Sequence, residues 1–334
     1  MKAIVQREFG PADVLVLEET ERPSPGPGQV LVKVAAAGVH AVDTGIRQGY
    51  GPPTLPKPQL PMTPGREVAG TVEAVGPDVE GSWAGRRVVA HVGALSGGYA
   101  EYALAPAASL HALPDRVSFP AAIAAVGTGR TAQMVLNAAR ITAEDVVIVT
   151  GASGGLGNQL MQLAHSLGAR VAALYGGEAK REAVTAFRRD GLVPVDTSDA
   201  AWADLMKAAL EGAAPTVVLD GVGGDVARTA LESLAPGGRH VIVGWASGAP
   251  VRVATDDIVE RSITVGSVLG GRPADLRTLE TRALEAVARG DAAPLVDEYP
   301  LADAAAAHTA IETRRSRGKV VLLPAHARPG TAHR

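Results

Sequence analysis

The stretch that decides the fold is DVVIVTGASGGLGNQLMQLAHSLGARVAALY, which runs from Asp145 to Tyr175. Residues 146–149 form an apolar, β-branched run that is typical of a strand buried on both faces. A glycine-rich turn follows, and residues 158–167 then place apolar side chains at helical spacing. A second apolar strand is predicted over residues 170–174. The stretch therefore predicts a βαβ unit of about 30 residues, as in dinucleotide-binding domains.

The glycine turn itself indicates a ligand. Gly151, Gly154 and Gly157 are spaced three residues apart, between the predicted strand and the predicted helix. Glycine lets the backbone turn sharply and approach a pyrophosphate, and the first N–H groups of the helix then point at that anion. A glycine pattern alone is often only a tight turn. Its position between strand and helix favours a nucleotide site.

The end of the second strand bears on which nucleotide binds. An NAD site usually has Asp or Glu at this point, where it bonds the ribose 2′-hydroxyl. Here residues 174–177 read Leu-Tyr-Gly-Gly, Glu178 comes later, and Lys180 and Arg181 follow. Two cations without a carboxylate at the strand end favour a 2′-phosphate, so the predicted cofactor is NADPH. The alternative is that Lys180 and Arg181 only solvate the start of a helix.

Composition narrows the class of protein. The chain has 334 residues, of which 46% are hydrophobic and 20% are charged, and its net charge is −3. This length suits two domains, and the charge gives no reason to expect nucleic acid or an anionic membrane as a partner. We see no signal peptide or membrane-spanning run, so the expected location is cytoplasmic. The absence of cysteine excludes disulfides, thiolate catalysis and cysteine-ligated zinc.

The order of predicted elements divides the chain in two. Residues 1 to about 120 show short strands and frequent turns, which predict a β-rich domain resembling a partly open barrel. Strands and helices then alternate, which predicts a doubly wound parallel sheet. The tail is too short for a core of its own and is expected to return to the first domain. The α/β chain is thus predicted to fold as one domain of residues 1–121 and 269–334 and another of residues 122–268.

Several stretches, in order along nearly the whole chain, resemble the zinc-free quinone oxidoreductase branch of the medium-chain dehydrogenase/reductase superfamily. They are residues 37–43 with 47–50, 64–70, 97–102, the glycine turn, 220–224, 236–244 and 318–322. The resemblance implies a GroES-like β-rich catalytic domain that is split around a Rossmann domain. It also implies a small-molecule substrate and a homodimer that pairs the last Rossmann strands of two copies.

The pattern departs from that of the zinc-dependent relatives. They place a cysteine where His40 stands and a histidine where Arg66 stands, and they carry a cysteine-rich lobe that is missing here. A lone His40 cannot build a tetrahedral zinc site, so no metal is expected. The glycine motif also looks like that of short-chain dehydrogenases. We reject that interpretation because no tyrosine in this chain has a lysine four positions later, as their catalytic pair requires.

The resemblance implies a set of cofactor-binding residues. The pyrophosphate is expected along Ser153, Gly154, Gly155 and Leu156, and the 2′-phosphate beside Gly176 and Lys180. The positions expected to approach the nicotinamide are Thr131, Gly244, Trp245, Ala246, Val268, Leu269 and Gly270. Plain turn chemistry is the alternative for the glycines. For Thr131 it is a helix-internal hydroxyl, and for Trp245 an ordinary surface aromatic.

Substrate contacts are expected from His40, Arg47, Tyr50 and Trp245. Tyr50 matches a tyrosine that stands over the nicotinamide in relatives, so it is the candidate catalytic residue, orienting a carbonyl or helping to supply a proton. The alternative is a loop tyrosine that packs on the Pro-rich segment. His40 replaces an asparagine that is common in this branch and introduces a group that titrates near neutrality. The alternative is a histidine satisfied by backbone partners.

These features predict a reductase that transfers hydride from NADPH to a quinone or to an α,β-unsaturated ketone or aldehyde, without zinc. A conjugated acceptor needs less polarisation than an isolated ketone, which fits a site that relies on hydrogen-bond donors. The second hypothesis is an NADPH-binding sensor or regulatory protein with little turnover. A zinc-type alcohol dehydrogenase is a more distant third.

Overall fold

A computed structural model describes residues 1–51, 58–93, 97–187, 189–268 and 275–327. The described strands are β1 (Lys2–Gln6), β2 (Leu15–Glu19), β3 (Gln29–Gly38), β4 (Glu67–Val75), β5 (Arg87–His91), β6 (Tyr102–Pro106), β7 (His111–Ala112), β8 (Val146–Val149), β9 (Arg170–Tyr175), β10 (Leu192–Asp196), β11 (Val217–Asp220), β12 (Arg239–Ile242), β13 (Thr264–Ser267), β14 (Val296–Pro300) and β15 (Lys319–Leu323).

The described α-helices are α1 (Ala41–Arg47), α2 (Phe119–Ile123), α3 (Arg130–Ala139), α4 (Gly155–Ser166), α5 (Arg181–Thr185), α6 (Trp202–Ala209), α7 (Gly224–Glu232), α8 (Thr255–Arg261), α9 (Leu276–Arg289) and α10 (Ala304–Glu312). A π-helical segment, Ala124–Gly129, joins α2 to α3. Among the described residues, no helix is long and apolar enough to cross a membrane.

The chain forms two compact units, one of Met1–Gly127 with the chain from Val296 onward, the other of Thr128–Leu295. The sequence placed the domain boundaries at residues 121 and 268, so the return to the first unit comes later than predicted. The reason lies in α9, which packs against α3 of the second unit. Arg130 of α3 donates a hydrogen bond of 2.8 Å to Glu280 of α9, and both side chains are largely buried.

The first unit is built on a seven-stranded sheet. Its strands run in the order β14-β15-β3-β4-β5-β7, and β6 also pairs with β3. Pairing is antiparallel except between β14 and β15. The inward side chains of β3, such as Val30, Val32 and Val34, are buried, and α10 packs on this core through Ala304 and Ala307. This is the β-rich domain that the sequence predicts.

The second unit is a six-stranded parallel sheet in the order β10-β9-β8-β11-β12-β13. The strand β8 lies at its centre, where Val147 and Val149 face one hydrophobic cluster and Ile148 faces another. Burial on both faces explains why β8 is continuously apolar. From β8 the sheet extends through β9 and β10 on one side, and through β11, β12 and β13 on the other. The boundary between β8 and β11 is therefore a switch point, and ligands bind at such points in doubly wound sheets. The predicted α/β fold class is confirmed.

Candidate active site

The glycine turn joins β8 to α4, at the carboxyl end of the central strand. Gly151 has a left-handed φ of 65°, and the N–H of Ala152 donates to the carbonyl of Leu174 at 2.8 Å. Gly154 is the residue before the helix, which begins at Gly155 rather than at Asn158 as the periodicity predicted. The hydrophobic repeat starts late because the first turn of α4 consists of glycines around Leu156.

The start of α4 offers donors to an anion. The N–H groups of the first helical residues, Gly155, Leu156 and Gly157, have no acceptor inside an α-helix. Within the described residues no side chain caps this helix, and its 12 residues add their dipoles in the same direction. Ser153 is 95% buried directly before this turn. The predicted pyrophosphate residues thus lie together at one helix end that suits a diphosphate.

Asp220 ties the turn to the neighbouring loop. It ends β11, is fully buried, and accepts hydrogen bonds from Thr150 Oγ1 at 2.8 Å and from the N–H groups of Val222 and Gly223 at 3.0 Å. Burial on its own raises the pKa of Asp220, but hydrogen bonds from His240 and these loop donors outweigh it and lower the pKa. No role was predicted for Asp220 from the sequence. The pattern that could have indicated one is an acidic residue at the end of an apolar strand.

The end of β9 is the candidate site for the adenosine ribose. Gly176 is exposed, Gly177 has a φ of 89°, and the N–H of Gly177 donates to Asp196 Oδ1 at 2.8 Å. The same oxygen accepts hydrogen bonds from the N–H and the hydroxyl of Ser198. Lys180 is half-buried one turn further on, and its N–H donates to Gly177. Asp196 was not predicted as part of this site because it comes from the next strand, β10.

The predicted nicotinamide-side residues follow β12. The N–H of Ala246 donates to the carbonyl of Gly221 at 3.0 Å, which places the Gly244–Ala246 segment beside the loop that Asp220 organises. Trp245 is 53% exposed. Val268 is partly buried against the core on the face of α3 and α4, and Thr131 is half-buried on α3. Leu269 and Gly270 lie outside the described residues.

A second polar cluster lies in the first unit. His40 Nε2 is 2.7 Å from Glu67 Oε2, and Lys319 Nζ is 2.9 Å from the same nitrogen. Glu67 and Lys319 are 1% and 4% exposed, whereas the His40 side chain is 19% exposed. Burial on its own raises the pKa of Glu67, but the positive charge of His40 and Lys319 outweighs it and holds that pKa far below its usual range. Burial also lowers the pKa of Lys319.

Arg47 is placed differently from the prediction. Its side chain is 1% exposed, and it donates hydrogen bonds to the carbonyl of Gly10 at 3.1 Å and to Glu312. Its Nη1 lies 3.4 Å from His308 Nδ1. These partners bury Arg47 between α1 and α10, so the substrate contact expected of it stays a prediction. A buried guanidinium needs partners of this kind, and nothing in the local sequence distinguishes it from a surface arginine.

Tyr50 lies three residues beyond α1, and 76% of its surface is exposed. Its N–H donates to the carbonyl of Gly45 at 2.8 Å, which fixes the backbone and leaves the ring open to solvent. A contact of Tyr50 with substrate therefore stays a prediction. The ring of His40, in contrast to that of Tyr50, contacts two charged partners, Glu67 and Lys319.

Comparison with known proteins agrees with both units. Residues 26–115 match the family described as alcohol dehydrogenase GroES-like domain, and residues 155–286 match the family described as zinc-binding dehydrogenase. The sequence is 33% identical to a quinone oxidoreductase of Sus scrofa, over 97% of this chain and 98% of that protein. The chain belongs to the quinone oxidoreductase branch of the medium-chain dehydrogenase/reductase superfamily. The predicted family is confirmed.

Two further relatives describe the chemistry of this branch. A 2-haloacrylate reductase of a Burkholderia species is 32% identical, over 97% of this chain and 99% of that protein. A quinone oxidoreductase of Escherichia coli, solved in complex with NADPH, superimposes with a TM-score of 0.79 and 29% identity, over 97% of this chain and 100% of that chain. This medium-chain dehydrogenase/reductase is therefore an oxidoreductase, and these relatives support binding of a cofactor of the NAD(P) type.

One matching family is described as zinc-binding, so the residues must be tested against a metal. Arg66 Nε lies 3.2 Å from Asp43 Oδ1, and Lys319 Nζ lies 3.6 Å from Glu67 Oε2, so two cations already balance these carboxylates. Across the described ranges, no group of three or more His, Asp or Glu residues is arranged to hold a metal ion. These donors do not fit a tetrahedral zinc site.

Proposed function

We propose that this protein is an NADPH-dependent reductase of quinones or of α,β-unsaturated ketones and aldehydes that works without zinc. The observation that carries the reaction class is the near full-length similarity to quinone oxidoreductases and to a 2-haloacrylate reductase. Both names describe reduction of a conjugated acceptor. Such an acceptor needs less polarisation than an isolated ketone, which agrees with a cluster flanked by Arg66 and Lys319 rather than by metal ligands.

The choice of NADPH rests on the end of β9. Its last residues lead into Gly176 and Gly177 without a carboxylate, and Lys180 stands half-buried one turn later. A lysine there is suited to a 2′-phosphate as a point charge. Asp196 is the nearest acidic candidate for a ribose hydroxyl, but its Oδ1 already accepts three hydrogen bonds. The NADPH complex of the Escherichia coli relative supports the same choice.

Different parts of the chain bind the cofactor and supply the proton in this proposal. The N–H groups at the start of α4 hold the pyrophosphate, and Asp220 fixes the loop beside them. When bound, the cofactor supplies hydride to the acceptor carbon. The acceptor oxygen then gains negative charge and needs a proton. Donors placed before the reaction stabilise that charge more strongly than water does. The predicted contact from Tyr50 and the ring of His40 are the candidates for this task.

The direct test measures NADPH and NADH consumption with 1,4-benzoquinone and with a simple enone, in the presence of a chelator. We expect kcat/KM for NADPH to exceed that for NADH by at least about tenfold, which corresponds to about 1.4 kcal/mol. Lys180→Ala should remove most of this preference and leave NADH turnover unchanged. Lys207→Ala, an exposed lysine on α6, is the matched control and should change neither.

Three results would contradict the proposal in different ways. A preference for NADH that Lys180→Ala does not alter would remove the 2′-phosphate assignment. Loss of turnover in the presence of chelator would favour the hypothesis of a zinc-type alcohol dehydrogenase. Tight NADPH binding without turnover on any acceptor would favour the sensor hypothesis, since a sensor needs the glycine turn but no path for hydride.

A further inference from the structure

Three charged groups that are distant in sequence meet in the first unit. His40 precedes α1, Glu67 begins β4 and Lys319 begins β15. The carboxylate of Glu67 is enclosed, because a Cβ on Gly38 would lie 2.7 Å from Glu67 Oε2 and one on Gly127 would lie 2.3 Å from it. The lack of a side chain at these two glycines leaves the space that this carboxylate oxygen fills beside His40. Fixed, largely dry geometry of this kind is costly unless every charge is balanced.

The two contacts of His40 Nε2 suit different protonation states, because the donor or acceptor role of a ring nitrogen depends on its tautomer. The distance of 2.7 Å to Glu67 Oε2 suits a proton on Nε2, which the ring then donates to the carboxylate. The distance of 2.9 Å to Lys319 Nζ suits a bare Nε2 that accepts from the ammonium group, or a protonated Nε2 that donates to a neutral amine. One proton therefore serves both contacts and lies either on the ring or on Lys319.

The charges around the cluster favour movement of that proton. Glu67 balances one positive charge, whether the charge lies on the ring or on the lysine. Burial lowers the pKa of Lys319, so its ammonium is a readier proton donor than an exposed lysine. The other titratable or charged groups that act on these three residues are Asp43, Arg66 and His91. Asp43 is paired with Arg66, so Glu67 remains the carboxylate nearest to the ring.

We propose that His40, Glu67 and Lys319 form a proton relay that completes the reduction. The inference rests on the proposed function. After hydride reaches the acceptor carbon, the ring of His40 gives its Nδ1 proton to the acceptor oxygen. Nε2 takes a proton from Lys319, and the carboxylate of Glu67 stabilises the proton on Nε2. The products are the reduced acceptor, the oxidised cofactor, a neutral ring and a neutral lysine amine. Solvent then restores one proton through the partly exposed ring.

The first experiment examines the resting protein and needs no acceptor. Histidine labelled with ¹⁵N reports by NMR whether each ring nitrogen carries a proton. We expect Nε2 of His40 to give a shift averaged between its protonated and bare values. Lys319→Met should move that signal to the protonated value, because Glu67 then remains the one partner. Lys319→Arg keeps a cation and shows whether an altered signal reflects lost charge or a disturbed strand. A signal that Lys319→Met does not change would overturn the relay.

The second experiment measures turnover of 1,4-benzoquinone. His40→Gln should fold, because His40 caps α1 through its backbone N–H, which donates to Asp43 Oδ2 at 2.8 Å. We expect its kcat to fall by about 10²-fold, as for loss of a general acid, and its NADPH affinity to stay constant. His40→Ala should regain part of the loss when imidazole is added. Tyr50→Phe tests the competing donor, and His165→Gln, on α4 at the end distant from its glycine turn, is the control.

The outcomes separate the two proposals. Turnover by the wild type with an unchanged His40→Gln rate and pH profile would overturn the relay and leave the reductase. A large loss of kcat in Tyr50→Phe and none in His40→Gln would assign the role of proton donor to Tyr50. If the wild type shows no turnover with any conjugated acceptor, the reductase proposal fails, and the relay fails as a step of that reaction. The NMR result then still decides whether the three residues share a proton.

Discussion

Gly157 lies in the first turn of α4, where the helix passes close to the residue that opens the turn. A Cβ at this position would lie 2.2 Å from the carbonyl oxygen of Gly151 and 2.7 Å from its carbon. Both are backbone atoms, so no side-chain movement can relieve the contact. The third glycine of the pattern is thus required by the close packing of the turn and the helix, and the same packing aims the N–H groups of α4 at the anion site.

Gly157→Ala should therefore weaken both the fold and the nucleotide site. We expect a loss of about 1–3 kcal/mol in the free energy of unfolding, as for overpacking, and at least a tenfold weaker affinity for NADPH. Thermal unfolding and a fluorescence titration measure the two effects. Gly81→Ala is the control, because a Cβ there meets no atom within 4 Å. Equal behaviour of the two variants would show that the turn tolerates a side chain.

At the scale of elements, α10 is attached to α1 by a buried chain of polar groups. Arg47 Nη1 lies 3.4 Å from His308 Nδ1, His308 Nε2 lies 3.2 Å from the hydroxyl of Tyr99, and that hydroxyl lies 3.4 Å from Asp43 Oδ2. A neutral His308 fits this order, since Nδ1 accepts from arginine and Nε2–H donates to tyrosine. Burial lowers the pKa of His308 to about 4, with Asp43 opposing the shift.

This histidine predicts a dependence of stability on pH. The unfolded chain protonates His308 near pH 6.5 and the folded chain near pH 4, so the unfolded state binds more protons between these values and stability falls as pH falls. Between pH 7 and pH 5 the loss from this one group is about 2 kcal/mol. Urea unfolding of the wild type and of His308→Gln at both pH values isolates it. Parallel losses in the two proteins would show that His308 does not contribute.

At the scale of the whole molecule, we expect two copies to associate through the parallel sheet. Among the described strands, β13 is the last of that sheet with β12 as its neighbour, and Thr264 and Gly266 on it are exposed. An unpaired strand edge is a template for another chain unless a partner covers it. The resemblance to dimeric relatives points to the same edge.

Sedimentation velocity at micromolar concentration should give the mass of a homodimer. Thr264→Lys places a charge on β13 and should shift the equilibrium towards monomer without lowering the NADPH affinity. The control is Lys207→Ala, which changes an exposed residue of α6 away from this strand. A wild type that sediments as a monomer over the whole concentration range would contradict the homodimer.

Much of the fold was predictable because its signals are local. The apolar run at residues 146–149 and the glycines that follow it predict β8, the turn and α4 from about 20 consecutive residues. The helix α8 was missed because its polar residues, among them Asp256 and Asp257, show no clear apolar face. The burial of Arg47 could not be predicted for a different reason. Its local sequence gives no sign of Glu312 and His308, which come from α10.

The α/β class, the glycine turn between strand and helix and the family could be predicted from the sequence, because the patterns of strands, turns and helices depend on neighbouring residues. Only the folded chain shows that His40 and Lys319, 279 residues apart, meet at Glu67. It also decided that Asp196 and Asp220 anchor the loops around the turn. Charge balance in a buried site depends on distances between separate strands, and composition and periodicity do not carry those distances.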